Sequence, residues 1–254
     1  MKLEYITCSD PREHNSISEI IKLGRMPNAE IAVQCHPSKM SDGMARNVWF
    51  GNLLKQLYDI KPINLAIHIN NEWANEICCE GKIPEIILDW LKAYNTKNAK
   101  PYPPLIQRIQ INMPEYTAQN IRPDLVAQII NAFPHREFIF QYNEITKGAI
   151  RKLHDTGVKF SLLFDASGGR GLTPESWQKP IYQKHKMGYS GGISPDNVID
   201  NLRKINILLP KDYNTWIDAE GRLKTNNLFD EKLKFDTQLA RLYIARANNW
   251  QKYK

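Results

Sequence analysis

The chain has 254 residues, 42% hydrophobic and 24% charged, with a formal net charge of +7. That composition belongs to a folded globular protein, neither disordered nor fibrous, and the length suits one domain with a full core. No apolar run approaches the ~18 residues of a membrane span. The start Met1-Lys-Leu-Glu-Tyr-Ile lacks the apolar stretch of a secretory signal, so a cytoplasmic location is expected.

Short apolar, β-rich runs recur along the chain. In order they are Leu3–Cys8, Glu30–His36, Ile63–Asn70, Ile106–Met113, Glu137–Asn143, Lys159–Asp165, Met187–Gly191 and Thr215–Asp218. Helical periodicity separates them at Ser16–Leu23, Ala45–Tyr58, Pro84–Tyr94, Pro123–Phe133, Thr146–His154, Pro195–Ile205 and Asp230–Asn248, with the weakest helical pattern at Leu172–Lys184. Pro195 reads as the first helical residue of its segment, with Asp196 in the first turn. The segment Lys100-Pro-Tyr-Pro-Pro104 reads as a rigid loop. Strands alternating with helices imply a parallel sheet with crossovers, and eight such units in this length predict a (β/α)8 barrel forming a single domain over residues 1–254. Closure requires the first strand, around Tyr5, to pair with the eighth, around Trp216.

The four cysteines, Cys8, Cys35, Cys78 and Cys79, include an adjacent pair that is a poor disulfide, and no CxxC spacing suggests zinc. Reduced thiols fit the cytoplasm. His36 and His68 could join Asp165 or Glu220 around a divalent metal, but no HxH or ExxH spacing supports it. Neither metal nor cofactor is expected. The basic cluster Lys184-His-Lys186 is short and reads as a solvated loop. With no aromatic–basic motif, no nucleic acid or membrane partner is expected, and a mild positive field suits a small anionic metabolite.

In a (β/α)8 barrel the carboxyl ends of the strands carry the site. Those ends read Cys8, Gln34 and His36, His68 and Asn70, Gln110 and Asn112, Gln141 and Asn143, Asp165, Ser190, and Asp218 with Glu220. The i, i+2 spacing points both members of a pair to one face, so a ring of polar groups lining a pocket is expected. Two of these ends turn on glycines, in Leu162-Leu-Phe-Asp165-Ala-Ser-Gly168-Gly169-Arg-Gly171 and in Ser190-Gly191-Gly192-Ile-Ser-Pro195-Asp-Asn-Val198. Glycines there let a backbone approach a ligand, and a following helix start offers N–H groups to an anion.

With Thr7-Cys8 ending the first strand, Asp165 ending the sixth, Gly168-Gly-Arg-Gly171 after it and Ser190-Gly-Gly-Ile-Ser-Pro-Asp-Asn-Val198 after the seventh, the chain resembles the phosphoribosylanthranilate isomerases. Trp177 falls near an aromatic position of that family. The resemblance implies an Amadori rearrangement of a sugar phosphate in tryptophan biosynthesis, with Asp165 as the acid and Cys8 as the base. By the same resemblance Gly168, Gly169, Gly171, Ser190, Gly191 and Gly192 hold the phosphate; Gln34, Asn143 and Asp218, as polar strand ends of the ring, are expected to bind substrate.

The chain departs from the family in three places. The loop His36-Pro-Ser-Lys-Met-Ser-Asp-Gly-Met-Ala-Arg46 is longer and has no arginine at the matching distance. Asp218-Ala-Glu220-Gly221 replaces a run of small hydroxyl residues with a carboxylate, which repels phosphate. Strand five ends on the polar Gln141-Tyr-Asn143. These departures leave open a relative with another substrate, or a barrel that binds a small polar metabolite without turnover.

Overall fold

In the computed structural model, which describes residues 1–94, 103–227 and 230–253, eight parallel strands close into a barrel in sequence order. The strands are β1 (Lys2–Ser9), β2 (Ala29–Cys35), β3 (Asn64–Ile69), β4 (Arg108–Ile111), β5 (Glu137–Tyr142), β6 (Ser161–Phe164), β7 (Met187–Ser190) and β8 (Asn214–Ala219). Closure is by β1 on β8, with Tyr5 opposite Trp216. The crossovers are the helices α1 (Ile17–Gly24), α2 (Pro37–Met40), α3 (Ala45–Tyr58), α4 (Asn71–Asn75), α5 (Glu85–Leu91), α6 (Glu115–Gln119), α7 (Pro123–Ala132), α8 (Lys147–Asp155) and α9 (Val198–Leu208). A π-helical turn, Glu76–Glu80, carries Cys78 and Cys79. Most of the predicted Lys100–Pro104 loop lies outside the described residues.

The outward faces of the strands carry the apolar core. Ile31, Val33, Leu65, Ile67, Ile109, Ile111 and Leu162 are all within 1% of full burial and pack under the helices. α3 shows why its segment is helical, since Trp49, Phe50, Leu53, Leu54 and Leu57 recur at three- and four-residue spacing on the buried side.

The inward faces are unusually polar. Barrel interiors are commonly filled by branched aliphatic side chains. Here Arg108 occupies the floor, donating from Nη1 to Glu30 at 2.7 Å and from Nε to Glu137 at 2.9 Å. Its guanidinium lies 4.3 Å from the centroids of both the Tyr5 and Trp216 rings. Gly188 makes room for that indole, because a Cβ there would lie 2.1 Å from the Trp216 ring.

The structure corrects three predicted elements. The helix after β7 begins at Val198, not Pro195. Ser194 and Asn197 bond reciprocally, Ser194 N–H to Asn197 Oδ1 at 2.8 Å and Asn197 N–H to Ser194 Oγ at 3.3 Å, which holds the intervening residues in a turn. The segment Leu172–Lys184 forms no regular helix.

The predicted helix at Asp230–Asn248 is two elements. Asp230–Phe235 is strand β10, paired antiparallel with β9 (Lys224–Asn227), and helix α10 follows as Thr237–Lys252. Asp236 is the reason. Its Oδ1 accepts from the amides of Gln238 and Leu239 at 2.8 and 3.1 Å, fixing the helix start there. This short hairpin is inserted after β8, on the same end of the barrel as the other strand-to-helix loops.

Candidate active site

A cleft opens at the carboxyl ends of the strands, with about 660 Å³ of empty space counting its open mouth. Eight of the expected residues line it: Gln34, Asp165, Gly169, Gly171, Ser190, Gly191, Gly192 and Asp218. The strand ends also bring in His68, Gln110, Asn112, Gln141 and Glu220, as their period-two spacing suggested. Arg170, Ile193 and Arg222 join the lining from the loops. The two arginines were not singled out in the sequence. Their signal was position alone, Arg170 within the glycine turn after β6 and Arg222 beside Gly221 after β8, and loop arginines are too common for that to stand out.

Cys8 is not part of the site. It is fully buried in the apolar layer outside the barrel, while its neighbours Thr7 and Ser9 point inward, to Glu30 at 2.7 Å and to Asp218 at 2.5 Å. Side chains alternate along a strand, so the residue between two inward groups faces out. Burial, with the nearby Asp218 and Glu30 charges, pushes its thiol well above the usual range, the opposite of what a base needs. The expected pairing of Cys8 with Asp165 across the mouth is therefore corrected.

Two further residues are displaced from their expected roles. Asn143 turns away from the cleft, and its Oδ1 accepts from the amides of Ile145 and Thr146 at 3.0 and 3.1 Å, shaping the entry to α8. Gly168 does not line the cleft, and a Cβ there would stand 3.8 Å from Asn143 Nδ2. His36 sits on the loop after β2, bonded to Ser38 and Asn71, and does not line the cleft that His68 lines. Among the described residues no group of three or more potential metal ligands converges.

Asp165 organises the loop that follows it. Its Oδ1 accepts from the amide and hydroxyl of Ser167 at 3.1 and 2.7 Å, and its Oδ2 from Gln141 Nε2 at 2.8 Å and the Gly169 amide at 2.7 Å. The loop then packs on the next one. A Cβ at Gly192 would lie 2.4 Å from Thr173 Oγ1 and 2.6 Å from its amide nitrogen, and Gly192 has φ +60, so glycine is required on both counts.

Asp218 is the carboxyl with latitude. It is buried, and its one hydrogen bond among the described residues comes from Ser9 Oγ. Burial raises its pKa to about 8, reinforced by the charges of Glu220, Glu30 and Asp165 and opposed by the Ser9 bond.

Glu220, the carboxylate expected to repel phosphate, is neutralised by Lys224 at 2.8 Å. Lys224 also reaches Asp10 at 2.8 Å, a buried carboxylate at φ +74 that is paired with Arg12 and Arg46 as well. Burial opposes ionisation of Asp10, but its bonds to Arg12 and Lys224 outweigh that and hold its pKa below the usual carboxylate range.

No protein-family profile matches the sequence, and no curated protein does. Solved structures do. A monomeric form of the dimeric phosphoribosylanthranilate isomerase from Thermotoga maritima aligns with a TM-score of 0.53 at 10% identity, over 96% of this chain and 98% of that one. The 3-hexulose-6-phosphate synthase from Salmonella typhimurium aligns with a TM-score of 0.48 at 11% identity, over 98% and 100%. The chain is thus a single closed (β/α)8 barrel, similar in fold along almost its whole length to phosphoribosylanthranilate isomerase.

Proposed function

We propose that the protein is an enzyme that isomerises a small phosphorylated sugar, from aldose or N-glycoside to ketose, with Asp218 moving the proton. The observation that carries this reading is a buried carboxyl in the cleft with a pKa near 8. A proton-transfer group works best when its pKa lies near the operating pH.

One carboxyl then serves in sequence. Protonated Asp218 gives its proton to the ring oxygen, which leaves carbon 1 as a hydroxyl and opens the ring. The resulting carboxylate takes the proton from carbon 2, and the electron pair forms the enediol or enaminol double bond. That proton returns to carbon 1 as the carbon 2 hydroxyl becomes a carbonyl. The one hydroxyl proton the substrate sheds, from carbon 1 of an aldose on ring opening or from carbon 2 of an N-glycoside as the carbonyl forms, returns through solvent to Asp218 and restores its acid form. Asp165 shapes the glycine loop in this scheme and does not exchange protons with substrate.

The phosphate is assigned to the Gly191–Gly192 turn beside Gly169, Gly171 and Ser190, with Arg170 and Arg222 supplying positive charge. Among the described residues neither arginine makes an ion pair, so both are available to an anion. Lys224 screens Glu220, which lessens the repulsion its carboxylate would exert on a phosphate.

The test is exchange of the carbon 2 proton with deuterated water, followed by NMR across phosphoribosylanthranilate and a panel of sugar phosphates. The reading expects exchange with at least one, and a loss of about 10²–10⁴-fold in Asp218→Asn with binding retained. A second reading, a barrel that binds a metabolite without turnover, is favoured by the four hydrogen bonds that occupy Asp165 and by the absence of Cys8 from the cleft. Binding without exchange across the panel would establish it and overturn the first.

A further inference from the structure

The amides of the cleft form one directed chain. Gln110 Nε2 donates to Asn112 Oδ1 at 2.9 Å, and Asn112 Nδ2 to Asn70 Oδ1 at 2.9 Å. Asn70 Nδ2 donates to Gln34 Oε1 at 2.8 Å, and Gln34 Nε2 to Glu220 Oε2 at 2.8 Å. An amide side chain can usually be turned over, exchanging donor for acceptor. This chain cannot. It ends on a carboxylate that only accepts, and Lys224, which only donates, takes the other oxygen of that carboxylate at 2.8 Å. Each amide is fixed by the next.

The consequence falls on His68. Its Nδ1 lies 3.3 Å from Gln34 Nε2 and 3.5 Å from Gln110 Nε2, the amino ends of both amides. Facing two donors, Nδ1 must accept, so the ring proton resides on Nε2. Protonating Nδ1 would place three donors together.

The surroundings agree. Burial, together with the charge of Arg108 on β4, lowers the pKa of His68 to about 3, and Asp10 opposes them. Glu220 meets the chain through Gln34 and not through the ring. Nε2 has no protein partner among the described residues, and His68, 2% exposed, lines the cleft.

We propose that His68 is held as a neutral, Nε2-protonated imidazole that donates a hydrogen bond to the substrate oxygen whose charge develops as carbon 2 is deprotonated. This rests on the isomerase reading for its substrate, but not for its tautomer. A neutral imidazole suits the task because its own basicity, once it gives the proton up, is close to that of the enediolate it stabilises. With an aldose the imidazole hydrogen-bonds the carbon 1 oxygen, or gives it the Nε2 proton, and regains a proton from the carbon 2 hydroxyl as the carbonyl forms there. Gln34, Gln110 and Glu220 are positioning residues that act through it.

The tautomer is read without any substrate, by NMR of protein carrying ¹⁵N-labelled histidine. His68 is expected to show the Nε2–H form and no titration from pH 5 to 9. An Nδ1–H form, or a protonation midpoint above pH 6, overturns the proposal. Gln34→Glu places an acceptor at Nδ1 and should bring His68 into the titrating range. Unchanged His68 signals in that folded variant would also overturn it.

The catalytic half is read by exchange at carbon 2. His68→Ala should lower kcat about 10²–10³-fold with KM changed less than threefold, and His68→Gln, which keeps an N–H donor, should recover part of the loss. Loss in Asp218→Asn with none in His68→Ala would sink the His68 role and leave the isomerase reading standing. Failure of every substrate with the tautomer confirmed would sink the isomerase reading and the donor role that rests on it, and leave the tautomer standing.

Discussion

Arg108 donates from Nη1 to Oε1 of Glu30 at 2.7 Å across the barrel floor, with both side chains at least 98% buried. Buried pairs add little net stability, but removing one partner strands the other's charge. Arg108→Met should therefore cost about 3–5 kcal/mol in urea unfolding. Arg108→Met combined with Glu30→Gln should cost clearly less than the two single losses summed. Strict additivity would mean the two are not coupled.

Asp218 should shape the stability of the fold against pH. Its pKa is near 8 folded and near 3.8 in a free chain. Between those values the folded state holds a proton that the unfolded state has released. Stability from this group is therefore full below about pH 4 and declines as pH rises toward 8, by up to about 1.4 kcal/mol per unit, then levels. Asp218→Asn should remove that slope, so the variant gains on the wild type as pH increases. Parallel pH profiles for the two proteins would show that Asp218 is not perturbed.

Cys8→Ala should leave proton exchange within about twofold of wild type, since the thiol lies outside the barrel wall, while lowering stability by about 1–2 kcal/mol through lost packing. A fall in exchange comparable to that of Asp218→Asn would restore Cys8 to the site.

Gly188→Ala pushes a methyl into the Trp216 indole and should cost about 3 kcal/mol or more, visible as a lowered Tm. In a Trp216→Leu background the same change should cost much less, because the ring that blocks it is gone.

The barrel was legible because its outer faces follow simple rules. Runs such as Ile63–Asn70 and Glu137–Asn143 are apolar outward, polar inward and bounded by clear turns, and Tyr5 meets Trp216 as closure demands. Cys8 was misplaced by parity. A residue at a strand end can present either face, and a shift of one residue exchanges the faces. The cue was present, since Glu30, Gln34, His68, Arg108 and Gln110 put polar groups on the inward positions, whereas Cys8 shares the parity of Ile6.

The hairpin at Lys224–Phe235 was missed for a different reason. Its lysines and glutamate suit a helix by composition, and only the capping geometry of Asp236 sets the boundary. The perturbed state of Asp218 depends on burial and on charges brought together from β2, β6 and β8, which no local pattern encodes.

The contact between Gly192 and Thr173 ties two loops into one unit. Their facing surfaces leave no space for a side chain, so neither loop can lengthen, shorten or exchange a residue there on its own. A search for new substrates by varying the loop after β6 would act on the turn after β7 as well. Libraries that randomise one and fix the other should yield mostly unfolded or inactive chains, whereas libraries that vary Leu172–Pro174 together with Ile193–Asp196 and leave the glycines in place should yield folded barrels.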